Sequence, residues 1–530
     1  MSGASAVARR AFLDARIRTI AFGVLFLVAG VTQATAYREG YPKLEDRIAF
    51  ARSVGANDAA RLLYGTPHDL LTTGGYVAWR VGGSMAVLAA LFGLLAAVRA
   101  TRAEEDSGRA DLVLSGTVGR RRAFLAQLVA IGLGGAMLWL ALLLSFLAGR
   151  LPLGASAYLA LAIVSVLPVF AGAGAVTSQL APTRRTATGL ATAVLVLAFA
   201  LRTVAALPSA GAGWLRWTTP LGWAEELRPF ADPQPLVLLL PAVAATILLV
   251  AAYALLVRRD IGHGLLPARD TAEPRLRLLG SPAGQALRAE RGGLIAWVAG
   301  VGAFALLMGV LADSVTPDVI SEEVQRQLEK LGTSSVVTPS GWLGFSFVFF
   351  LLAVCLFCAG QVASLRGEEA DQRLETLLAL PLGRNAWLTA RLLLASAAAT
   401  LVALAAGVLA WAGAAAKGAD VSLAGMLGAG ANTLPPALLF LAIGALAFAV
   451  VPRASATLTY SLVGAAFLLE LFGSLLELPG WVLSLSPFHD IGLVPGEPFE
   501  PRAAAIMVAL ALLGAATAIV LFRRRDLVAA

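Results

Sequence analysis

Charge is scarce in this sequence. Only 14% of its 530 residues are charged, and lysine occurs only at positions 43, 330 and 417. A soluble globular protein has about 25% charged and about 45–50% apolar residues. Here 58% of the residues are hydrophobic and the mean hydropathy is +0.79. So much apolar surface cannot be hidden in one water-soluble core, and the composition therefore predicts a membrane protein.

Motifs that carry chemistry are also few. None of the lysines stands in a GxxxxGK(S/T) phosphate-binding loop, which excludes ATP hydrolysis by a Walker mechanism. Cys355 and Cys358 share one apolar run and have no second ligand pair, so we interpret them as packing residues. The three histidines are isolated in sequence. We predict no catalytic residue, no metal site and no cofactor bound by this chain.

Long uncharged runs dominate what is present. A transmembrane helix needs about 20 mostly apolar residues, because the hydrocarbon core is roughly 30 Å thick. Twelve runs qualify, and they predict an all-α polytopic membrane protein. The predicted spans are Thr19–Tyr37, Val77–Ala100, Ala123–Ala148, Ala157–Leu180, Ala187–Leu207, Pro235–Val257, Leu294–Ala312, Leu343–Ser364, Trp387–Ala412, Leu434–Val451, Ala456–Leu476 and Ala503–Phe522.

The basic residues indicate an orientation. With the N- and C-termini in the cytoplasm, the inner segments carry clearly more Lys and Arg than Asp and Glu, as the positive-inside rule requires. The net charge of +8 is then explained by insertion in a plasma-membrane bilayer, and we expect no nucleic-acid partner.

The chain is an internal duplication. Residues 102–111 (RAEEDSGRAD) match residues 366–375 (RGEEADQRLE) at an offset of 264, and the match continues ungapped to Gly-Arg at 119–120 and 383–384. Arg-Arg-Asp closes both halves, at 258–260 and 524–526. We predict two parallel six-helix repeats, residues 1–261 and 287–530, joined by a cytoplasmic linker, 262–286. Parallel repeats imply a pseudo-two-fold axis along the membrane normal.

The repeated segment falls in the inner loop after the second span of each half. Glu and Arg four residues apart, Glu105 with Arg109 and Glu369 with Arg373, would share one face of a helix. Apolar residues follow at each tip, which a merely solvated loop would not need. We predict that these loops contact a partner; the candidate residues are Glu104, Glu105, Arg109, Asp111, Glu368, Glu369, Arg373 and Glu375.

Three charges lie close to or inside predicted spans. Arg80 opens the second span, Arg202 lies late in the fifth, and Glu470 lies late in the eleventh. Charges in a membrane are costly and often functional, so these are candidates for a pathway or gate. Arg202 and Glu470 hold near-equivalent positions of the repeat, and an ion pair between them is one interpretation. Snorkelling of the arginines to the outer head groups is the other.

Several stretches identify a family. Gly74-Gly75-Tyr76-Val77-Ala78-Trp79-Arg80 enters the second span, the Arg-Ala-Glu-Glu loop starts at 102, and Trp217-Thr218-Thr219-Pro220-Leu221-Gly222-Trp223 is followed by Arg228-Pro229-Phe230. Together they resemble ABC-2-type permeases, most closely the actinobacterial tetronasin-resistance group of antibiotic-efflux permeases. The resemblance covers most of the first half. The second half carries the matching loop and the terminal Arg-Arg-Arg-Asp.

The resemblance implies a partner and a substrate class. Such permeases work with a separate cytoplasmic ABC ATPase, here in two copies, which binds ATP and Mg and docks on the inner loops. The transported small molecules would be antibiotics or other amphiphilic compounds, moved out of the cell. The sequence itself does not identify the substrate.

Two other functions remain open at this stage. A twelve-span secondary transporter of the major facilitator type, a drug/proton antiporter, also has two parallel halves, but its loop signature of roughly GxxxDRxGRR is not matched here. A membrane enzyme would need an acidic or histidine cluster at one interface, and only the two inner Glu pairs come close.

Overall fold

The computed structural model describes residues 3–56, 58–116, 118–206, 211–260, 262–266, 281–312, 338–472 and 479–527, and these residues contain helices and no strand. The chain forms two compact units, residues 1–272 and 273–530. The predicted domain limits stay predictions, because most of the predicted linker, 267–280, lies outside the described residues.

The first unit has twelve α-helices within its described residues. They are α1 (Gly3–Gly40), α2 (Leu44–Ala56), α3 (Asp58–Tyr64), α4 (Thr73–Val98), α5 (Glu104–Asp106), α6 (Arg109–Leu114), α7 (Arg120–Ala148), α8 (Leu153–Val164), α9 (Val166–Leu180), α10 (Arg184–Ala205), α11 (Pro220–Glu226) and α12 (Leu239–Arg258). A π-helical turn, Arg99–Ala103, joins α4 to α5. Two 3-10 turns, Gly213–Thr218 and Pro235–Leu238, precede α11 and α12.

The second unit has nine α-helices in its described part. They are α13 (Pro282–Ala312), α14 (Pro339–Ala370), α15 (Arg373–Leu378), α16 (Arg384–Ala416), α17 (Leu423–Asn432), α18 (Leu434–Val450), α19 (Ser455–Phe472), α20 (Gly480–Leu483) and α21 (Pro501–Arg524).

Eleven helical segments of the described residues are long and apolar enough to cross a membrane. Each overlaps one predicted span, so the prediction of a polytopic helical membrane protein is confirmed. The remaining prediction, Ala456–Leu476, overlaps α19, whose apolar part, Ser455–Glu470, is shorter. Residues 473–478 lie outside the described residues, and the twelfth span therefore stays a prediction.

The fourth and tenth spans are interrupted helices. α8 gives way to α9 at Ser165, and α17 gives way to α18 at Thr433. Pro168 follows the first break, and Pro435 with Pro436 follows the second. Proline has no N–H to donate to the preceding turn, which breaks the ladder. At the two breaks, Ser165 Oγ and Thr433 Oγ1 each donate to the carbonyl three residues back, at 2.7 and 2.8 Å.

Small residues let the helices approach closely. A Cβ on Gly93 of α4 would lie 2.4 Å from the Leu167 carbonyl oxygen of α9, and a Cβ on Gly413 of α16 would lie 2.2 Å from the Leu306 carbonyl oxygen of α13. Membrane helices gain little from hydrophobic burial against each other, so close packing of this kind holds them together. Large apolar side chains such as Leu133 and Leu512 remain exposed on the outer helical faces, as a bilayer-facing surface would be.

Candidate functional site

The two repeated loops have the same backbone course. Gly108 and Gln372 both adopt left-handed conformations, with φ of 70° and 59°. The six-residue helices α6 and α15 begin at the next residue, and α7 and α16 begin eleven residues later. Every one of these landmarks keeps the offset of 264 that the sequence match has.

The helical pairing predicted for these loops is wrong. Glu105 and Arg109 do not share one helix, because the left-handed residue Gly108 turns the chain between them. Arg109 instead lies 3.9 Å from Glu104. In the second loop Arg373 pairs with Asp371 at 2.6 Å, since Gln372 makes the same turn before α15.

Glu105 points inward to the end of the last helix of its unit. Arg259, the residue after α12, donates from both Nη atoms to the two carboxylate oxygens of Glu105, at 2.7 and 2.5 Å. Arg259 Nε also donates to Gln179 Oε1 at 2.7 Å. Such a two-pronged guanidinium–carboxylate bond fixes geometry as well as charge. The first loop is thereby fastened to α9 and α12 together.

Arg102 adds a second fastening. Its side chain is almost fully buried and lies 3.3 Å from Glu105 Oε2, and its Nε lies 3.0 Å from Asp106 Oδ1. Its Nη2 donates to the carbonyls of Pro182 and Gly262. Asp106 in turn accepts the backbone N–H of Arg184 at 2.6 Å, at the start of α10.

The second unit repeats this cluster. Arg525, the residue after α21, lies 2.9 Å from Glu369 Oε1, and Arg366 lies 3.4 Å from Glu369 Oε2. Arg384 Nη1 donates to the backbone carbonyl of Arg525 at 2.5 Å, as Arg120 Nη1 does to that of Arg259 at 2.7 Å.

The eight predicted loop residues therefore divide by exposure. Glu105, Glu368 and Glu369 face inward, with 10%, 9% and 1% of their side chains exposed. Arg109, Asp111, Arg373 and Glu375 face outward, and Glu104 is intermediate. The inward residues position the loop, and the outward ones form its free surface.

Sequence reasoning missed the partners of the buried carboxylates. In the sequence, Arg259 and Arg525 stand out only as members of the repeated Arg-Arg-Asp that closes each half. The repetition was the available signal that these arginines have partners. A charge that occurs in both copies beside an apolar helix end is expected to have a counter-charge nearby. Arg391, which binds Glu368, has no counterpart in the first half, where Gln127 stands.

Arg202 has a carboxylate partner in its own unit. The side chain is buried, and its Nε donates to Glu225 Oε1 at 2.5 Å. Burial raises the pKa of Glu225, and the adjacent Arg202 opposes that rise. A Cβ on Gly65 or on Gly83 would collide with this pair, so both glycines leave room for it.

Arg80 contacts Tyr64, the residue before Gly65. Its guanidinium stands 4.0 Å from the centre of the Tyr64 ring, a cation–π contact. Tyr64 packs edge-on against Trp79, whose Nε1 donates to the carbonyl of Gly65 at 2.9 Å.

Glu226 fixes the turn that follows α11. Its carboxylate, 4% exposed, accepts from Arg216 at 2.8 Å and from Arg228 at 2.6 Å. Burial acts to raise the pKa of Glu226, but the two hydrogen bonds outweigh it and hold this pKa below its usual value. Arg228 itself has a left-handed φ of 47°. Such backbone strain persists only where the surroundings impose it.

Glu470 also has a neighbour in its own unit. Its carboxylate lies 3.6 Å from His489 Nδ1. Arg202 and Glu470 hold near-equivalent positions of the repeat and carry opposite charges. Each of them has a partner within its own half. The ion pair between Arg202 and Glu470 stays a prediction.

Comparison with known proteins places these features in a family. The family described as "Multidrug efflux system permease Rv1217c, C-terminal domain" matches residues 49–256 and 279–523, one range in each unit. The chain is 34% identical over 514 residues to the multidrug efflux system permease protein Rv1217c of Mycobacterium tuberculosis (strain ATCC 25618 / H37Rv). That alignment covers 94% of this chain and 91% of the relative.

Proposed function

The chain belongs to this family of multidrug efflux permeases, and on that premise we propose that it is the membrane-spanning subunit of an ABC exporter. It has twelve transmembrane helices in two parallel six-helix repeats. The N- and C-termini and both repeated loops face the cytoplasm. A separate ATPase docks on the loops, one subunit on each, and drives the efflux of amphiphilic compounds.

The repeated loop is the observation that carries this proposal. Two copies keep the same left-handed turn, the same short helix and the same buried Glu–Arg fastening. A homodimeric partner needs two equivalent docking surfaces, since each of its subunits presents the same patch. The fastening to α12 and α21 gives each surface a rigid connection to a membrane helix.

Docking is expected on the outward residues. Arg109 and Arg373 are 60% and 65% exposed, so reversing their charge changes the surface without unfolding the loop. We expect Arg109→Glu with Arg373→Glu to lower drug-stimulated ATP hydrolysis and export at least tenfold. The measurement is made on the permease co-purified with its proposed ATPase partner.

Arg121→Glu is the matched control. It is also an exposed arginine, at the start of α7 outside the short helices, and should leave coupling unchanged. Normal export by the double reversal would contradict docking on these loops. Export by the permease alone, driven by a proton gradient without ATP, would instead support the major-facilitator-type antiporter.

A further inference from the structure

A cavity of about 130 Å³ lies beside the first loop, among α1, α4, α6 and α7. Apolar side chains such as Phe92, Phe124 and Ile131 form its inner walls. Arg18, Arg99 and Arg120 line it as well. About 10–15 Å³ of such cavity volume holds one water, so the space suits a small polar group with a few attached methylenes.

The charges around the cavity favour an anion. Asp14, Glu104 and Glu105 also line it, but each of these carboxylates already has an arginine nearby. These arginines are Arg10 at 3.8 Å, Arg109 at 3.9 Å and Arg259 at 2.5 Å, respectively. Among the described residues no carboxylate forms an ion pair with Arg18, Arg99 or Arg120. Arg120 Nη2 is buried and has no hydrogen-bond partner there. An unsatisfied buried donor is costly, and an anionic oxygen would satisfy it.

The second unit fills the equivalent space with its own side chains. Arg391 stands where the first unit has Gln127 and donates to Glu368, the counterpart of Glu104. Ser364 Oγ donates to Glu290 at 2.5 Å. The cavity left beside Ser364 and Arg391 measures about 10 Å³, which is room for one water at most.

We propose that the cavity of the first unit binds the head of an anionic amphiphile, a molecule with one phosphate or carboxylate group and an acyl-type tail. The three arginines hold the head, because guanidinium groups match the oxygens of phosphate and carboxylate in geometry and charge. The tail leaves along the apolar walls. At the equivalent position among the described residues of the second unit, the Arg391–Glu368 ion pair takes the place of the ligand.

The amphiphile can come from two sources. One is an anionic lipid of the bilayer, and the other is a free amphiphile that the protein transports. The two share the same chemistry at the cavity. Binding of the amphiphile in this cavity does not require an ATPase, and it is measured without nucleotide.

The test introduces into the first cavity the side chains that occupy the equivalent space in the second unit. Gln127→Arg with Ala15→Glu copies Arg391 and Glu290. Gln127 corresponds to Arg391 at the offset of 264, and Ala15 corresponds to Glu290 when Arg16 and Ile20 of α1 are matched to Arg291 and Ile295 of α13, at an offset of 275. The full chain is placed in phosphatidylcholine nanodiscs. Binding of a fluorescent phosphatidylglycerol and of dodecyl phosphate is then measured, with phosphatidylcholine and dodecyl maltoside as uncharged comparisons.

We expect the wild-type chain to prefer an anionic probe over its uncharged comparison at least tenfold, and the filled variant to lose that preference. Arg18→Gln should also lose it, which tests the site if the filled variant is unstable. Arg121→Gln, an exposed arginine of α7, should retain it.

The two probes separate the sources. Preference for phosphatidylglycerol alone supports a lipid ligand, and tight binding of dodecyl phosphate supports a free amphiphile. Equal binding of charged and uncharged probes would overturn the proposal. So would a preference that persists in both the filled variant and Arg18→Gln.

Discussion

Glu369 lies almost fully buried between Arg366 and Arg525. Removing one partner of a buried ion pair leaves the other charge uncompensated. We expect Glu369→Gln to destabilise the protein by about 3–5 kcal/mol, measured as a lower unfolding temperature of the detergent-purified chain.

Asp371→Asn is the matched control for that substitution. Asp371 pairs with Arg373 in the same loop, but both side chains are more than half exposed. Exposed pairs contribute roughly 0–1 kcal/mol. Equal effects of the two substitutions would contradict the structural role of Glu369.

Glu226 predicts a pH dependence. Its pKa in the folded protein is lowered, so its ionised form stabilises the fold at neutral pH, and this contribution is lost as the pH falls through the lowered pKa. We expect Glu226→Gln to cost about 2–3 kcal/mol at pH 7 and progressively less as the medium is acidified. Unfolding temperatures of wild type and variant from about pH 8 down to about pH 2, well below the usual glutamate pKa, provide the measurement.

Glu225 is the comparison with the opposite sign. Its folded pKa is raised, so its pH-dependent contribution is present at low pH and is lost as the pH rises through that pKa. The penalty of Glu225→Gln should therefore shrink with rising pH. Parallel pH profiles for the two variants would show that the assigned environments are wrong.

The sequence singled out the charged residues of the two loops, but it paired them with the wrong partners. Glu105 and Arg109 have helical spacing. Gly108 is a local sign of a helix end, since glycine commonly takes the left-handed conformation there, but Gln372 at the equivalent position gives no such sign. The true partner, Arg259, is 154 positions away. Spacing rules describe neighbours on one helix. They cannot pair residues that tertiary packing brings together.

Among the elements, the turn before each short helix is a point of difference between the halves. Gly108 adopts its left-handed conformation without strain, whereas Gln372 carries a Cβ in the same conformation. We expect Gln372→Gly to raise the stability of the purified chain by up to about 1 kcal/mol.

Thr376→Gly is the control for that change. Thr376 lies inside α15 at an ordinary helical position, where glycine costs roughly 0.5 kcal/mol or more. The two glycines should thus shift the unfolding temperature in opposite directions. A loss of stability from both would mean that the Gln372 backbone is not left-handed.

The interrupted helices were predictable only in part. Pro435 and Pro436 stand together at the entrance of the tenth predicted span, directly after the break at Thr433. The break at Ser165 was not anticipated, because Pro168 lies in the middle of one continuous apolar run. Hydropathy records where a chain crosses the bilayer and not whether its hydrogen-bond ladder is continuous.

For the whole molecule, the two compact units predict that the chain tolerates a cut between them. We expect residues 1–272 and 273–530, expressed together as separate chains, to be recovered together from membranes and to restore export. A cut at Ala130, inside α7, should abolish both recovery and export. Recovery of the fragments cut at Ala130, or loss of those cut between the units, would argue against units that fold separately.

The duplication was readable from sequence because ungapped matches and repeated terminal arginines survive in both copies. The inequality of the halves was not. In the sequence, the difference between Gln127 and Arg391 looks like ordinary divergence. In the structure, Gln127 borders a cavity, whereas Arg391 occupies most of the equivalent space. A repeat predicts shared architecture, whereas differences in function arise where the copies depart from each other.

The fastening of each loop to the end of its last helix has a consequence for chimeras. A loop carrying Glu105 needs the arginine that follows α12, and a loop carrying Glu369 needs the one that follows α21. The first loop keeps this pair when it is moved to the second half, whereas the second loop moved to the first half would carry the buried Glu368 to a site where Gln127 replaces its partner Arg391. Both halves supply the arginine that follows the last helix. A loop grafted into a relative without that arginine would carry an orphaned carboxylate. Loop and terminal residue must therefore be transferred together, although they lie more than 150 positions apart.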